Sequence, residues 1–336
     1  DPHVAAAAHG LRGLPFHIAF VFEGEEENGS SGFQEAVSRN LHWFEGTELI
    51  VISNTNWVGE NLPCVTYGMR GMVSMSITVA GPTKDVHSGN DGGVFNEPMS
   101  DLIKVMGTVI APGSSTVSVP GFFDDVMPGL LDLAWSSIQE SDVGESEFNL
   151  EGYRQALGVP ALLSTSCKPL TTRQLLEARW CRPSLSIVDM RTGVEADLGR
   201  GVGAADERAA TLRFGPTRFS VIPRTAVAKV SVRFVPNQDA MHVAAAIERH
   251  VVSEFGKLGS SNAIDVKVVS CGEWWQADQG SRWMRMVEVA IEREWGCKPV
   301  FVREGGTMPV ARLLEQLLGA PAILLPMGQA SDAPHL

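Results

Sequence analysis

FHIAFVFEGEEENGSSGF, residues 16–33, is the stretch on which the reading of this chain turns. Phe16 to Phe22 is a continuous apolar run, the pattern of a strand buried on both faces. It stops at Glu23-Gly24-Glu25-Glu26-Glu27-Asn28-Gly29-Ser30. Four carboxylates packed this closely repel one another unless a cation sits among them. The carboxyl ends of strands are where open α/β sheets bind ligands, and hard divalent cations take carboxylate oxygens. Taken alone, the acidic run reads more readily as a solvated turn ahead of a helix, where carboxylates favour the dipole. The rest of the chain shifts the balance toward a metal.

Outward from this stretch the buried style continues. Val4–Leu11 is alanine-rich and helical, Ser31–Asn40 is a helix, and Glu48–Ser53 is a second buried strand. From Gly71 the pattern changes. Val73, Met75, Ile77 and Val79 alternate with Ser74, Ser76 and Thr78, as in a strand with one polar face. The alternation recurs in Ala226–Pro236, around Ile264–Val268 and in Ser184–Met190. Helices are expected at Glu97–Ile110 and Asp239–Phe255, the second closed by Gly256. Four alternating strands with two helices on one side make a small α+β unit. After Ser270 the buried style returns, with a helix around Trp283–Ile291 ended by Gly296. Strands follow at Lys298–Val302 and Ala322–Pro326, with a helix at Pro309–Leu318 between them. Ala111–Gly121 and Asp197–Arg213 read as loops. The expected fold class is α/β: a mixed, mostly parallel sheet in a domain formed by residues 1–69 and 271–336. An α+β domain of four antiparallel strands and two helices, residues 70–270, is inserted into it.

A chain of 336 residues fits two domains. The formal net charge of -12 argues against a nucleic-acid partner or an anionic membrane. The five cysteines, Cys64, Cys167, Cys181, Cys271 and Cys297, are scattered without CxxC spacing, which fits a reducing cytoplasm better than a disulfide framework. No apolar run is long enough to span a bilayer, and no signal peptide is visible.

Polar residues cluster after the expected strands. Glu23–Glu27 follows the first, Asn54 the second, Arg303–Thr307 the third and Gly328–His335 the fourth. If the strands are parallel, all four loops converge on one edge of the sheet. A lone histidine such as His335 is more often structural than ligating. Histidine and glutamate together at a sheet edge suit a hydrolytic metal site.

These residues resemble a known family. EGEEENGS, PCVTYGMRG, DVHSGNDGG, WCRPSLSI, VIPRTAVAKVSVRFVP, REGGTMPV and LLPMGQASDAPHL are similar, in order and over nearly the whole chain, to landmarks of the M20 metallopeptidases. The nearest branch is that of carnosine dipeptidases and cytosolic non-specific dipeptidases. SNTNW and the DAPHL ending are most similar to the peptidase-like subunits of the fungal glutathione degradosome. The resemblance implies a catalytic domain holding two divalent metal ions, zinc or manganese, and an inserted lid that forms a homodimer. It implies hydrolysis of dipeptides or small peptides, including Cys-Gly. By position, Glu26 is the general base and Glu27 a metal ligand, His335 a second-site ligand and His87 a lid histidine that stabilises the oxyanion of a partner subunit's site. Arg233 is placed to bind the substrate carboxylate, with Gly305, Gly306 and Thr307 lining the substrate. Thr307 replaces a serine common in the family.

Three departures follow from the same comparison. The family's first metal histidine has no counterpart in the chain, nor has its bridging aspartate. Asn54 stands at the position of a metal-binding aspartate and offers a neutral oxygen. Two readings therefore stand. One is a metal-dependent dipeptidase of which this chain is a part, with Asp1–Leu336 by itself expected to be nearly inactive. The other is a non-catalytic pseudo-peptidase serving as a scaffold or binding subunit of a larger complex.

Overall fold

A computed structural model describes residues 16–24, 26, 29–136, 138, 147–165, 168–192 and 220–332. In chain order the strands are β1 (Ile50–Ile52), β2 (Cys64–Met69), β3 (Gly71–Ala80), β4 (Val86–His87), β5 (Ser164–Thr165), β6 (Lys168–Pro169) and β7 (Ser184–Thr192). They continue with β8 (Val221–Ile222), β9 (Thr225–Phe234), β10 (Ala263–Gly272), β11 (Trp275–Gln276), β12 (Val300–Glu304) and β13 (Ala322–Leu324). The helices are α1 (Phe33–Arg39), α2 (Ser88–Asp91), α3 (Pro98–Met106), α4 (Leu130–Trp135), α5 (Leu150–Ala156), α6 (Thr172–Trp180), α7 (Ala240–Lys257), α8 (Arg282–Trp295) and α9 (Pro309–Leu318).

β2 is buried along its whole length and centres a mixed sheet. β12 runs parallel to it, whereas β11 and β13 run antiparallel, and β1 lies parallel to β13. Helices cover both faces. On one, Val37 of α1 and Ala311 and Leu314 of α9 pack with Ile50, Met69 and Leu324. On the other, Met284 and Ile291 of α8 pack with Val65, Tyr67 and Ile323. The helix ends follow local chemistry. Ser281 caps α8 by accepting from the Met284 N–H, and Gly296 ends it at φ 71, a left-handed conformation that suits glycine.

The second sheet has the order β10-β3-β9-β7, all antiparallel. Its apolar face carries Val73, Met75, Ile77 and Val79 of β3 and Ala228, Val230 and Val232 of β9. These pack under Leu102 and Val105 of α3 and Val243, Ile247 and Val251 of α7. The alternating pattern is thus realised as one face buried by two helices. The edge strands β7 and β10 are broken by bulges at Ile187/Asp189 and Val268/Ser270, which blunts them against further pairing.

Several expectations are corrected. Phe16–Phe22 is irregular, with Phe20 63% and Phe22 90% exposed. An apolar run becomes a buried strand only when a sheet edge receives it, and no described strand pairs with this one. The strand expected at Glu48–Ser53 shortens to β1, where Val51 is exposed. α7 runs through Gly256 to Lys257. Strand β2 and helices α4 to α6 were not expected, and Val4–Leu11 and Asp197–Arg213 lie outside the described residues.

Gly71 opens β3 directly opposite Phe234, whose ring lies across the glycine. A Cβ there would overlap that ring. Phe234 is fully buried and has nowhere to turn. Gly71→Ala is expected to cost about 1–3 kcal/mol by overpacking, lowering Tm by several degrees. Thermal unfolding measures it; an unchanged Tm would show that the ring has room to move.

Candidate functional site

The mixed sheet divides the three loops that follow its strands, and Glu23–Glu27 follows none of them. β13 opposes β2 and β12 follows it, so the residues after β1 and β13 leave the sheet at one end and those after β12 at the other. The expected single edge holds only for an all-parallel sheet.

At the first end, the segment after β1 is zipped to the segment after β13. Asn56 pairs with Gly328, the Trp57 N–H donates to the Gly328 carbonyl at 2.8 Å, and the Trp57 indole donates to the Pro326 carbonyl at 3.2 Å. The Gln329 amide reaches the Glu60 carbonyl at 2.8 Å. A hydroxyl contact of 3.2 Å between Thr55 and Thr66 ties the first segment to β2. Asn54 is exposed beside this zipper. His335 and Glu27 lie outside the described residues. Glu26 is exposed, and its carbonyl accepts from the Gly29 N–H at 3.0 Å. Among the described residues no three His, Cys, Asp or Glu side chains converge to hold a metal, so these residues do not by themselves make a metal site. His87 is exposed on β4, and its Nδ1 accepts from the Gly89 N–H at 3.1 Å, capping α2.

At the other end the structure brings together Arg233, Gly305, Gly306 and Thr307. Arg233 lies on the polar side of β9, between buried Val232 and Phe234, and its Nη1 meets the Thr307 hydroxyl at 2.5 Å. Arg70, at the joint between β2 and β3, donates from Nε to the Gly305 carbonyl at 2.9 Å. Its backbone N–H donates to the Gly306 carbonyl at 3.1 Å. Its Nη1 donates to the Arg182 carbonyl at 3.0 Å and to the Ser184 hydroxyl at 3.3 Å. Arg179, at the end of α6, lies 3.6 Å from Glu304. One Glu304 oxygen also accepts from the Gly305 N–H at 2.6 Å.

Gly305 has a packing reason to be glycine. A Cβ would lie 2.6 Å from the Arg179 carbonyl oxygen and 3.1 Å from the Arg70 guanidinium. The Arg70 guanidinium thus has Arg179, Arg233 and the Glu304 carboxylate as charged neighbours. Burial, and then the Arg233 charge, bring the Arg70 guanidinium down to about 10. Burial also lowers Arg233. A half-buried group of cations with too few counter-charges is a receptor for an anion. The nearby Cys181 thiol does not compete as a nucleophile, since burial pushes it up to about 11.

Arg70 and Arg179 were not among the residues expected at the site. Arg70 stands between Gly68 and Gly71, just before the alternating pattern begins, and a lone arginine there carries no periodic signal.

No protein-family model matches the chain. The Cys-Gly metallodipeptidase DUG1 of Candida albicans is 34% identical over 324 residues, covering 96% of this chain and 60% of the relative. The Beta-Ala-His dipeptidase of Homo sapiens is 31% identical over 96% of this chain and 58% of the relative. The chain therefore spans about three fifths of the length of these curated relatives. Among solved structures, the di-peptidase Dug1p of Saccharomyces cerevisiae aligns over 98% of this chain and 62% of its own, with 27% identity and a TM-score of 0.75. The M20 family metallo-carboxypeptidase Sso-CP2 of Sulfolobus solfataricus aligns over 90% and 61%, with a TM-score of 0.64, and at 21% identity it speaks to the fold alone. No helix among the described residues is long and apolar enough to cross a membrane. The chain is a homologue of the Cys-Gly and Beta-Ala-His metallodipeptidases and has the fold of the M20 peptidases.

Proposed function

We propose that this protein takes part in the metal-dependent hydrolysis of dipeptides or small peptides with a free terminal carboxylate, Cys-Gly among them. The observation that carries the proposal is the arginine-rich end of the site, where Arg233 and Thr307 present a guanidinium and a hydroxyl side by side. A planar fork suits a carboxylate. The Thr307 hydroxyl supplies a further donor, and Gly305 and Gly306 let the backbone come close to the bound peptide.

In this reading residues 1–69 and 271–336 form the catalytic domain. Residues 70–270 form a lid, through which a homodimer assembles. Glu26 removes a proton from the attacking water. His87 donates to the oxyanion of the tetrahedral intermediate, in the partner subunit's site. Glu27, His335 and Asn54 are assigned to two divalent ions, zinc or manganese, whose chemistry is to polarise the carbonyl and acidify water. The expected compartment is the cytoplasm. Dipeptide turnover by the complete gene product, measured with and without divalent metal, tests the proposal.

A further inference from the structure

We infer that Arg70 is a positioning residue that holds the Gly305–Thr307 loop against Arg233, and so sets the protein's preference for a free carboxylate. The inference rests on the function proposed above. Four hydrogen bonds leave this one residue, and they reach two separate segments. Its Nε and its backbone N–H take the carbonyls of Gly305 and Gly306. Its Nη1 takes the Arg182 carbonyl and the Ser184 hydroxyl, where the chain enters β7.

The residue itself sits at the joint between the two sheets, one step after β2 and one before β3. Arg233 lies on β9, paired with Met72 at the start of β3. The guanidinium thus fixes the distance between the strand that carries Arg233 and the loop that carries Thr307.

Charge makes the arrangement informative. Arg70 is half-buried, and the charges of both Arg233 and Arg179 oppose its own. A neutral side chain would join the same segments without that repulsion. What the guanidinium adds is a rigid fork with several donors at fixed angles, which a lysine ammonium on a flexible stem does not reproduce. The crowding around Gly305 acts in the same direction. The loop is pinned between the Arg179 carbonyl and the Arg70 guanidinium, and a small displacement of it opens the contact between Thr307 and Arg233.

The test is Arg70→Lys in the complete gene product, read in two ways. Hydrogen exchange is measured by mass spectrometry over the segment 303–308 and over the core of β3. The expected result is exchange about tenfold faster at 303–308, with β3 unchanged. Equal exchange at the loop, or faster exchange through β3 as well, overturns the inference. Kinetics are measured on a dipeptide and on its terminal amide. KM for the dipeptide is expected to rise by about 10- to 100-fold with kcat within a few-fold, while kcat/KM for the amide falls by at most a few-fold. A parallel loss on both substrates, or an unchanged ratio between them, overturns it. If the unaltered protein hydrolyses neither substrate, the proposed function fails, and the exchange data alone decide whether Arg70 holds the loop.

Discussion

Glu26→Gln in the complete gene product is expected to lower kcat for a dipeptide by about 10²–10⁴-fold, the range of a positioned general base. Glutamine keeps the size and the hydrogen-bonding oxygen but has no basic site for a proton. KM should stay within a few-fold, because the role proposed for Glu26 is on the attacking water and not on the substrate carboxylate. The side chain lies in an exposed acidic segment, where it is not part of any described core. The substitution should therefore leave Tm unchanged, and a fall in Tm equal to that of a core substitution would point to a structural role. Steady-state kinetics with a parallel melting curve separate the two.

Arg233→Ala carries the second large effect and shows itself in a different parameter. It removes the guanidinium that meets Thr307 at 2.5 Å and leaves the bound carboxylate without its main cationic partner. Truncating one side of a desolvated charge pair costs about 2–5 kcal/mol. At 1.36 kcal/mol per factor of ten, kcat/KM for dipeptides should fall by about 30- to 5,000-fold. Most of the loss should appear in KM, and the terminal amides, which lack the charge, should lose far less. Lysine should restore little, since it lacks the fork. A Lys variant with full activity would place the carboxylate elsewhere.

Much of the second sheet was legible because alternation is a direct record of one buried face. Val73, Met75, Ile77 and Val79 point to one side of β3, and the structure buries all four under α3 and α7. The limits of the reading were equally physical. Phe16–Phe22 has a strand's composition, yet composition does not supply the neighbouring edge that a strand needs. β2 was not expected as a strand, because Thr66, Tyr67 and Gly68 interrupt its apolar pattern. The structure gives that glycine a reason: a Cβ on Gly68 would lie 2.5 Å from the buried Arg303 guanidinium. α6 was missed because TRQLLEARW is largely polar. Its Glu177 is buried and pairs with Arg173 one turn earlier in the same helix at 3.0 Å, while only Leu175, Leu176 and Trp180 supply its buried apolar face.

The candidate site divides along the same line. Arg233 and the REGGT segment were legible as types in a pattern, and the structure brings them into contact. The splitting of the loops after β1, β12 and β13 between two ends was not legible, because an apolar run does not state its direction. It follows from the antiparallel pairing of β13 with β2. Arg70 was hidden because a single arginine has no period; its hydrogen bonds to Gly305, Gly306, Arg182 and Ser184 show what it joins.

The most direct measurement is the release of amino acids from Cys-Gly by the complete gene product, before and after removal of bound metal by a chelator. The account predicts turnover that falls to the level of Glu26→Gln on chelation and returns when zinc or manganese is restored. Turnover that survives full chelation, or a metal-loaded protein that binds peptides and cleaves none, would contradict it.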